Sequence, residues 1–183
     1  MKKLLSPFLL LVTTVILILS CAEEQDFDQF DDLSVTPIVA SSIFYLESDE
    51  EFINSASAAS TFYAQTFNFD AFNEQFVAER LLQGTMIYEL ENTTSKTLSI
   101  TIEFLDEGGN LLDLESFSID PAPAQPQIIE VAYGPGGKSL DILTNTSNLR
   151  VIGNNLGDVT SVSSEPEPKI IMRSAAEFLF RLK

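Results

Sequence analysis

Between Thr97 and Leu105 the chain alternates without a break: Leu98, Ile100, Ile102 and Phe104 are apolar, while Thr97, Ser99, Thr101 and Glu103 are polar. A period of two describes a strand with one buried and one wet face, as in an antiparallel sheet. Asp106-Glu-Gly-Gly-Asn110 closes a hairpin to a returning strand over 111–119, whose apolar phase changes between Leu114 and Phe117 and so predicts a bulge. The same reading places strands at 35–46, 61–69, 85–91, 127–132, 149–154 and 170–182. In the last of these, Ile170, Met172, Ala176, Phe178, Phe180 and Leu182 are expected to point inward, with Lys169, Arg173, Glu177, Arg181 and Lys183 outward. Phe72, Phe76, Val77 and Leu81 fall at helical spacing behind Asp70, a suitable cap, and 139–146 reads as a second short helix. Stretches 47–60 and 155–168 are polar loops, the first with room for one helical turn, and 121–126 is a Pro-rich connection.

Seven or eight short alternating strands with one or two short helices predict an all-β fold, an immunoglobulin-like antiparallel β-sandwich. No Cys-Trp-Cys pattern supports it, so strand rhythm alone carries the expectation. The segments 85–91 and 97–105, joined by Asn92-Thr-Thr-Ser-Lys-Thr97, resemble a hairpin of fibronectin-like or desiccation-protein-like sandwiches. The aromatic cluster around Tyr63, Phe67, Phe69, Phe72 and Phe76 is expected to be core.

The first 34 residues follow another logic. Met1-Lys2-Lys3 is a positive head, Leu4 to Leu19 an apolar run, and Ser20 a small residue before the only cysteine, Cys21. These are the parts of an export signal, and the run falls short of the ~20 residues that a membrane-spanning helix requires. Ile18-Leu19-Ser20-Cys21 resembles the lipobox of bacterial lipoproteins. That resemblance implies a signal peptide 1–20, removal of it before Cys21, and acylation of Cys21 as lipid attachment, with the membrane as first partner. Two or more acyl chains anchor a protein stably. Residues 21–34 read as an acidic tether and 35–183 as the sandwich domain. Acidic residues directly after the cysteine resemble the surface-export signal of Bacteroidota lipoproteins. That resemblance implies an outer-membrane, outward-facing location, and the Cys-Ala-Glu-Glu start and Tyr133-Gly-Pro-Gly-Gly-Lys-Ser139 resemble uncharacterised flavobacterial lipoproteins, which support the location and the architecture and assign no activity.

Charge and composition narrow the chemistry. After loss of residues 1–20, eight basic residues stand against 27 acidic ones, a net −19. Such a balance opposes nucleic-acid binding and adsorption on anionic lipid, leaving anchoring to the acyl chains. With no histidine and no second cysteine, Ser-His and Cys-His catalysis and His- or Cys-ligated zinc are excluded. The acids of 23–32 lack the glycine and terminal glutamate of a calcium loop. Carboxylate-pair glycoside hydrolysis needs a cleft and stacking aromatics, and tryptophan is absent. No catalytic residue, metal or cofactor is therefore expected.

Ala132-Tyr-Gly-Pro-Gly-Gly-Lys138-Ser139 fits a loose Walker A spacing, with strand before and helix after. In a nucleotide site, Lys138 would reach phosphates and Ser139 would hold magnesium. The antiparallel context lacks the alternating βαβ units of that fold, so a structural turn is the expectation and a nucleotide site the remote alternative. Asn92-Thr-Thr94 and Asn145-Thr-Ser147 are expected to be polar turns. The functional expectation is a non-enzymatic envelope lipoprotein with a structural or protein-interaction role toward an unknown envelope partner. Loops 47–60 and 155–168 are its candidate surfaces. The alternative is a small-ligand or glycan-binding module, which would draw on Tyr45, Tyr63 or Tyr88.

Overall fold

The computed structural model describes residues 34–56, 60–69, 72, 75–121 and 125–182. Eight strands form: β1 (Ile38–Asp49), β2 (Thr61–Asn68), β3 (Leu81–Asn92), β4 (Leu98–Leu105), β5 (Leu111–Ile119), β6 (Gln127–Tyr133), β7 (Asn148–Asn155) and β8 (Lys169–Phe180). Three short helices join them: α1 (Glu50–Ser55), α2 (Gln75–Ala78) and α3 (Leu140–Asn145). The strands make two antiparallel four-stranded sheets, in the orders β1-β8-β3-β6 and β2-β7-β4-β5. Val35–Leu182 is one compact unit.

The fold is thus the all-β antiparallel sandwich that the strand rhythm predicts. Sandwiches share that architecture across several wirings, and this one, with eight strands split four and four and its first strand beside its last, is wired as a jelly roll. Periodicity reports how many strands have a buried face, and carries no information on which strand lies beside which.

The core comes from the inward faces. Leu98, Ile100, Ile102 and Phe104 of β4 are fully buried, opposite Met86, Tyr88 and Leu90 of β3 and Ile170, Met172 and Ala176 of β8 in the facing sheet. The aromatics pack as expected of a core: Phe72 meets Phe178 edge-on at 5.0 Å between centroids, and Phe44 stacks on Phe67 at 5.2 Å. Phe76 is the exception; it is exposed beneath the Arg80 guanidinium, 3.4 Å from its ring centroid.

Several boundaries differ from expectation. β1 starts three residues late and runs on to Asp49, because β8 pairs along it as far as Asp49↔Lys169. The helix expected over 72–81 is the single turn α2, since Leu81 already pairs with Phe180 and begins β3. Asp70, its expected cap, lies outside the described residues. β8 ends at Phe180, which leaves Leu182 outward instead of inward.

The bulge expected between Leu114 and Phe117 is absent; β4 and β5 stay in register from Leu98↔Ile119 to Phe104↔Asp113. The irregularity falls at Leu112 instead, where Phe104 and Leu105 face Asp113 and Leu111. The strand keeps its parity by turning Leu114 to solvent and Glu115 into the core. A carboxylate accepts that position only with donors in reach. Tyr133 donates its hydroxyl hydrogen to Glu115 Oε1, and Lys138 Nζ lies 3.3 Å from the same oxygen.

Candidate functional site

At the end of the sandwich where β1 runs into α1 and β8 begins, three connections meet: 50–56, 93–97 and 156–168. Asp49 caps α1, accepting from the Phe52 amide at 2.6 Å. That cap aims the next residue, Glu50, inward, where it is 2% exposed. Its Oε1 accepts from the amide and hydroxyl of Ser95, both at 2.6 Å, and its Oε2 accepts from the Ser163 amide at 2.8 Å. One carboxylate therefore ties the helix to both other connections. Burial pushes the Glu50 carboxyl up, but the Ser163 and Ser95 donors together outweigh it and hold it below its ordinary value.

A second charged residue performs the same service beside it. Lys96 is fully buried, with Nζ 2.7 Å from the Ser161 carbonyl and 3.1 Å from Asp158 Oδ1. Asp158 also accepts from the Ser161 hydroxyl and amide and the Thr160 amide, and these, with Lys96, keep it well below the usual carboxylate range. Asn92, which opens the Asn92-Thr-Thr94 turn, is buried: its Nδ2 donates to the Lys96 and Asp120 carbonyls, and its Oδ1 accepts from Thr94. It is the structural turn expected of it.

Over this frame lies an open groove of about 520 Å³, lined among others by Glu47, Asp49, Glu51, Asn54, Val162 and Glu167. Glu47 pairs with Lys169 at 2.9 Å, which leaves the rim acidic, while Val162 and Phe52 beside it are exposed apolar groups. The groove thus combines a fixed backbone, negative charge and apolar surface. Among the described residues, no group of three or more Asp or Glu side chains is arranged to hold a metal ion. Of the loops expected as surfaces, residues 47–56 and 155–168 come together here, and Ser95–Lys96 joins them. Glu50 and Lys96, which make the frame, carry no sequence signal beyond being charged residues near turns.

The Walker-like loop folds on itself. The Gly134 amide donates to the Lys138 carbonyl at 2.8 Å, the Gly137 amide to the Gly134 carbonyl at 2.9 Å, and the Lys138 amide to the Ala132 carbonyl at 2.9 Å. Amides that a phosphate would need are engaged within the turn. A Cβ on Gly137 would sit 2.2 Å from the Ala132 carbonyl oxygen, and Gly134 and Gly136 have φ of 103° and 84°, so close approach and left-handed backbone explain the glycines. Lys138 turns to Asp113 and Glu115 of β5, and Ser139 caps α3 through Asp141. This geometry is a turn that locks β6 to β5 across the two sheets.

The three tyrosines do not converge. Tyr45 is exposed on β1, Tyr63 is half-buried on β2 in the other sheet, and Tyr88 is wholly buried on β3. Tyr88 is pushed well above its ordinary value by burial and by the Glu115 charge. Ile18, Leu19, Ser20 and Cys21, with the remainder of the signal and the tether to residue 33, lie outside the described residues. Among the described residues no helix is long and apolar enough to cross a membrane.

No family model matches the chain, and no curated protein matches it. Solved structures do match in shape. A structure of infectious bursal disease virus, Gt strain, aligns over 81% of this chain and 32% of its own at 8% identity and a TM-score of 0.41. Tailspike protein 4 of bacteriophage CBA120, enzymatically active domain, aligns over 83% and 20% at 14% identity and 0.37. Desmodium yellow mottle tymovirus aligns over 82% and 89% at 8% identity and 0.35. The chain spans about a third of the length of the first of these, and at such identity the likeness concerns the fold alone.

Proposed function

We propose that this chain is a bacterial envelope lipoprotein, acylated at Cys21 and tethered to the outer membrane, whose jelly-roll domain is a non-enzymatic module for protein contact. The observation that carries the contact role is the groove between loops 47–56 and 156–168, whose frame is fixed by the buried Glu50 and Lys96. A surface built from connections but held like a core has little conformational entropy to lose on binding. The absence of histidine and of a free thiol after acylation supports the non-enzymatic reading.

A photo-crosslinking side chain placed at Val162 or Glu51 on intact cells is expected to capture one defined envelope protein. Recovery of bulk envelope proteins alone would remove the contact role. Separately, Cys21→Ala is expected to release the protein from the membrane fraction, and the mature wild type to carry acyl mass on Cys21. Protease shaving of intact cells then assigns the side: removal places the domain outside, and survival until the outer membrane is broken places it in the periplasm.

A further inference from the structure

The opposite end of the sandwich, where the chain enters at Val35, has a character of its own. Val35, Ile38, Phe76 and Leu182 are exposed there by 52, 68, 60 and 52%. Isolated exposed apolar residues are ordinary, whereas a contiguous patch marks an interaction. Backbone bonds draw their segments together: the Leu182 amide donates to the Val35 carbonyl at 2.9 Å, the Arg181 amide to the Arg80 carbonyl at 2.8 Å, and the Phe180 amide to the carbonyl of Pro37, next to Ile38, at 3.1 Å. Arg80 in turn lies over Phe76 and donates to its carbonyl at 2.9 Å.

Two guanidiniums without a carboxylate partner distinguish this end from the rest. Lys96, Lys138, Arg150, Lys169 and Arg173 each pair with a carboxylate. Among the described residues, Arg80 and Arg181 are the cations without a carboxylate partner, and both stand in the apolar patch. Glu79 and Glu177 are acids near them in the chain and register, the first accepting from Gln75 at 2.6 Å, and Asp106 and Glu107 stand at the same end beside Phe72, whose ring is 6.3 Å from that of Phe180. The groove end carries Glu47, Asp49, Glu51 and Glu167. A mature chain of net charge −19 thus leaves its two unpaired guanidiniums beside exposed Val, Ile, Phe and Leu.

We infer that this end is a lipid-facing surface, seated on the phospholipid headgroups of the membrane that anchors the chain. The inference rests on the lipoprotein reading of Cys21. Apolar side chains enter the headgroup boundary while guanidiniums meet lipid phosphates. The covalent tether supplies the rest: residues 22–34 span at most about 45 Å when extended, so the patch is never far from the bilayer. At such an effective concentration, a contact too weak to hold a free domain suffices to orient a tethered one. With this end on the lipid, the acidic groove faces away, toward partners.

The test uses the full acylated protein in vesicles of phosphatidylethanolamine and phosphatidylglycerol. An environment-sensitive dye is attached through Ile38→Cys or, at the far end, Val162→Cys, and quenched by nitroxide-labelled lipid. Quenching at position 38 is expected to exceed that at 162 at least threefold, and the pair Phe76→Ser with Arg181→Gln is expected to abolish the difference without changing the melting temperature. Equal quenching at both positions in protein shown by mass to be acylated would overturn the lipid face. Absence of acyl mass would instead overturn the lipoprotein reading. Burial of position 38 that follows protein density and not lipid quencher would assign the patch to a second copy and overturn the proposal equally.

Discussion

Glu50 is where a single residue determines the loop geometry. Glu50→Ala would leave the Ser95 and Ser163 amides without acceptors inside the protein, a loss of about 2–4 kcal/mol. Glu50→Gln, which keeps the shape and one acceptor oxygen, is expected to lose roughly half as much. Urea titration measures both, and hydrogen exchange should quicken at 93–97 and 160–165 first. Because the folded carboxyl is held below its ordinary value of 4.5, its contribution is complete above that pH and lost as pH falls through the folded value. Lys138 has the reverse sign: burial pulls it down, but Asp113 and Glu115 outweigh burial and raise it above 10.5. Its contribution is complete below pH 10.5 and lost as pH rises through the folded value. Stability against pH is therefore expected to be a plateau falling at both ends, and Glu50→Gln to shallow only the acid limb.

At the scale of elements, β5 distinguishes a strand's parity from its hydrophobicity. Leu114 points to solvent, so Leu114→Ala is expected to cost less than ~0.5 kcal/mol, while Ile102→Ala on β4 costs about 2–5. The reverse ranking in denaturant titrations would mean that the bulge lies after Leu114. In the 132–139 turn, Gly137→Ala forces the Ala132 carbonyl aside and is expected to cost about 1–3 kcal/mol, whereas millimolar ATP-magnesium should leave the melting temperature unchanged. Strands with one dry face, such as β4 and β8, were legible because alternation follows directly from the two-residue repeat. β5 was not, because a leucine faced water and a glutamate faced the core, and the donors that permit this, Tyr133 and Lys138, stand 18 and 23 residues away in sequence. The short α2 falls short of its expected length for a related reason: Phe72 and Leu81 share a helical spacing yet reach the core from a loop and a strand.

For the whole molecule, composition is a poor guide to how charge is distributed. The mature chain's net −19, read from the sequence, argues against adsorption on anionic lipid. Among the described residues, five cations pair with acids and two do not, and those two share an end with exposed Val35, Phe76 and Leu182. Which end faces the tether depends on strand wiring, which the sequence pattern does not carry. The candidate groove was legible as two polar loops, but their meeting depends on Glu50 and Lys96, each an unremarked charge in a turn.

The pairing of β8 between β1 and β3 has a consequence for how the protein is made. β8 is the last strand to be synthesised and, in an exported chain, the last to cross the membrane. Until it arrives, the first strand has no neighbour in its sheet, and β3 is paired on one side only. Closing a loop of some 120 residues sets a slow final step, as for other sheets with distant partners. Deleting 169–183 should accordingly leave no cooperative unfolding transition by circular dichroism, instead of a domain weakened in proportion. Under the export proposed above, the apolar faces of β1 and β3 would stay uncovered for as long as translocation takes, which is the kind of surface that holding chaperones cover.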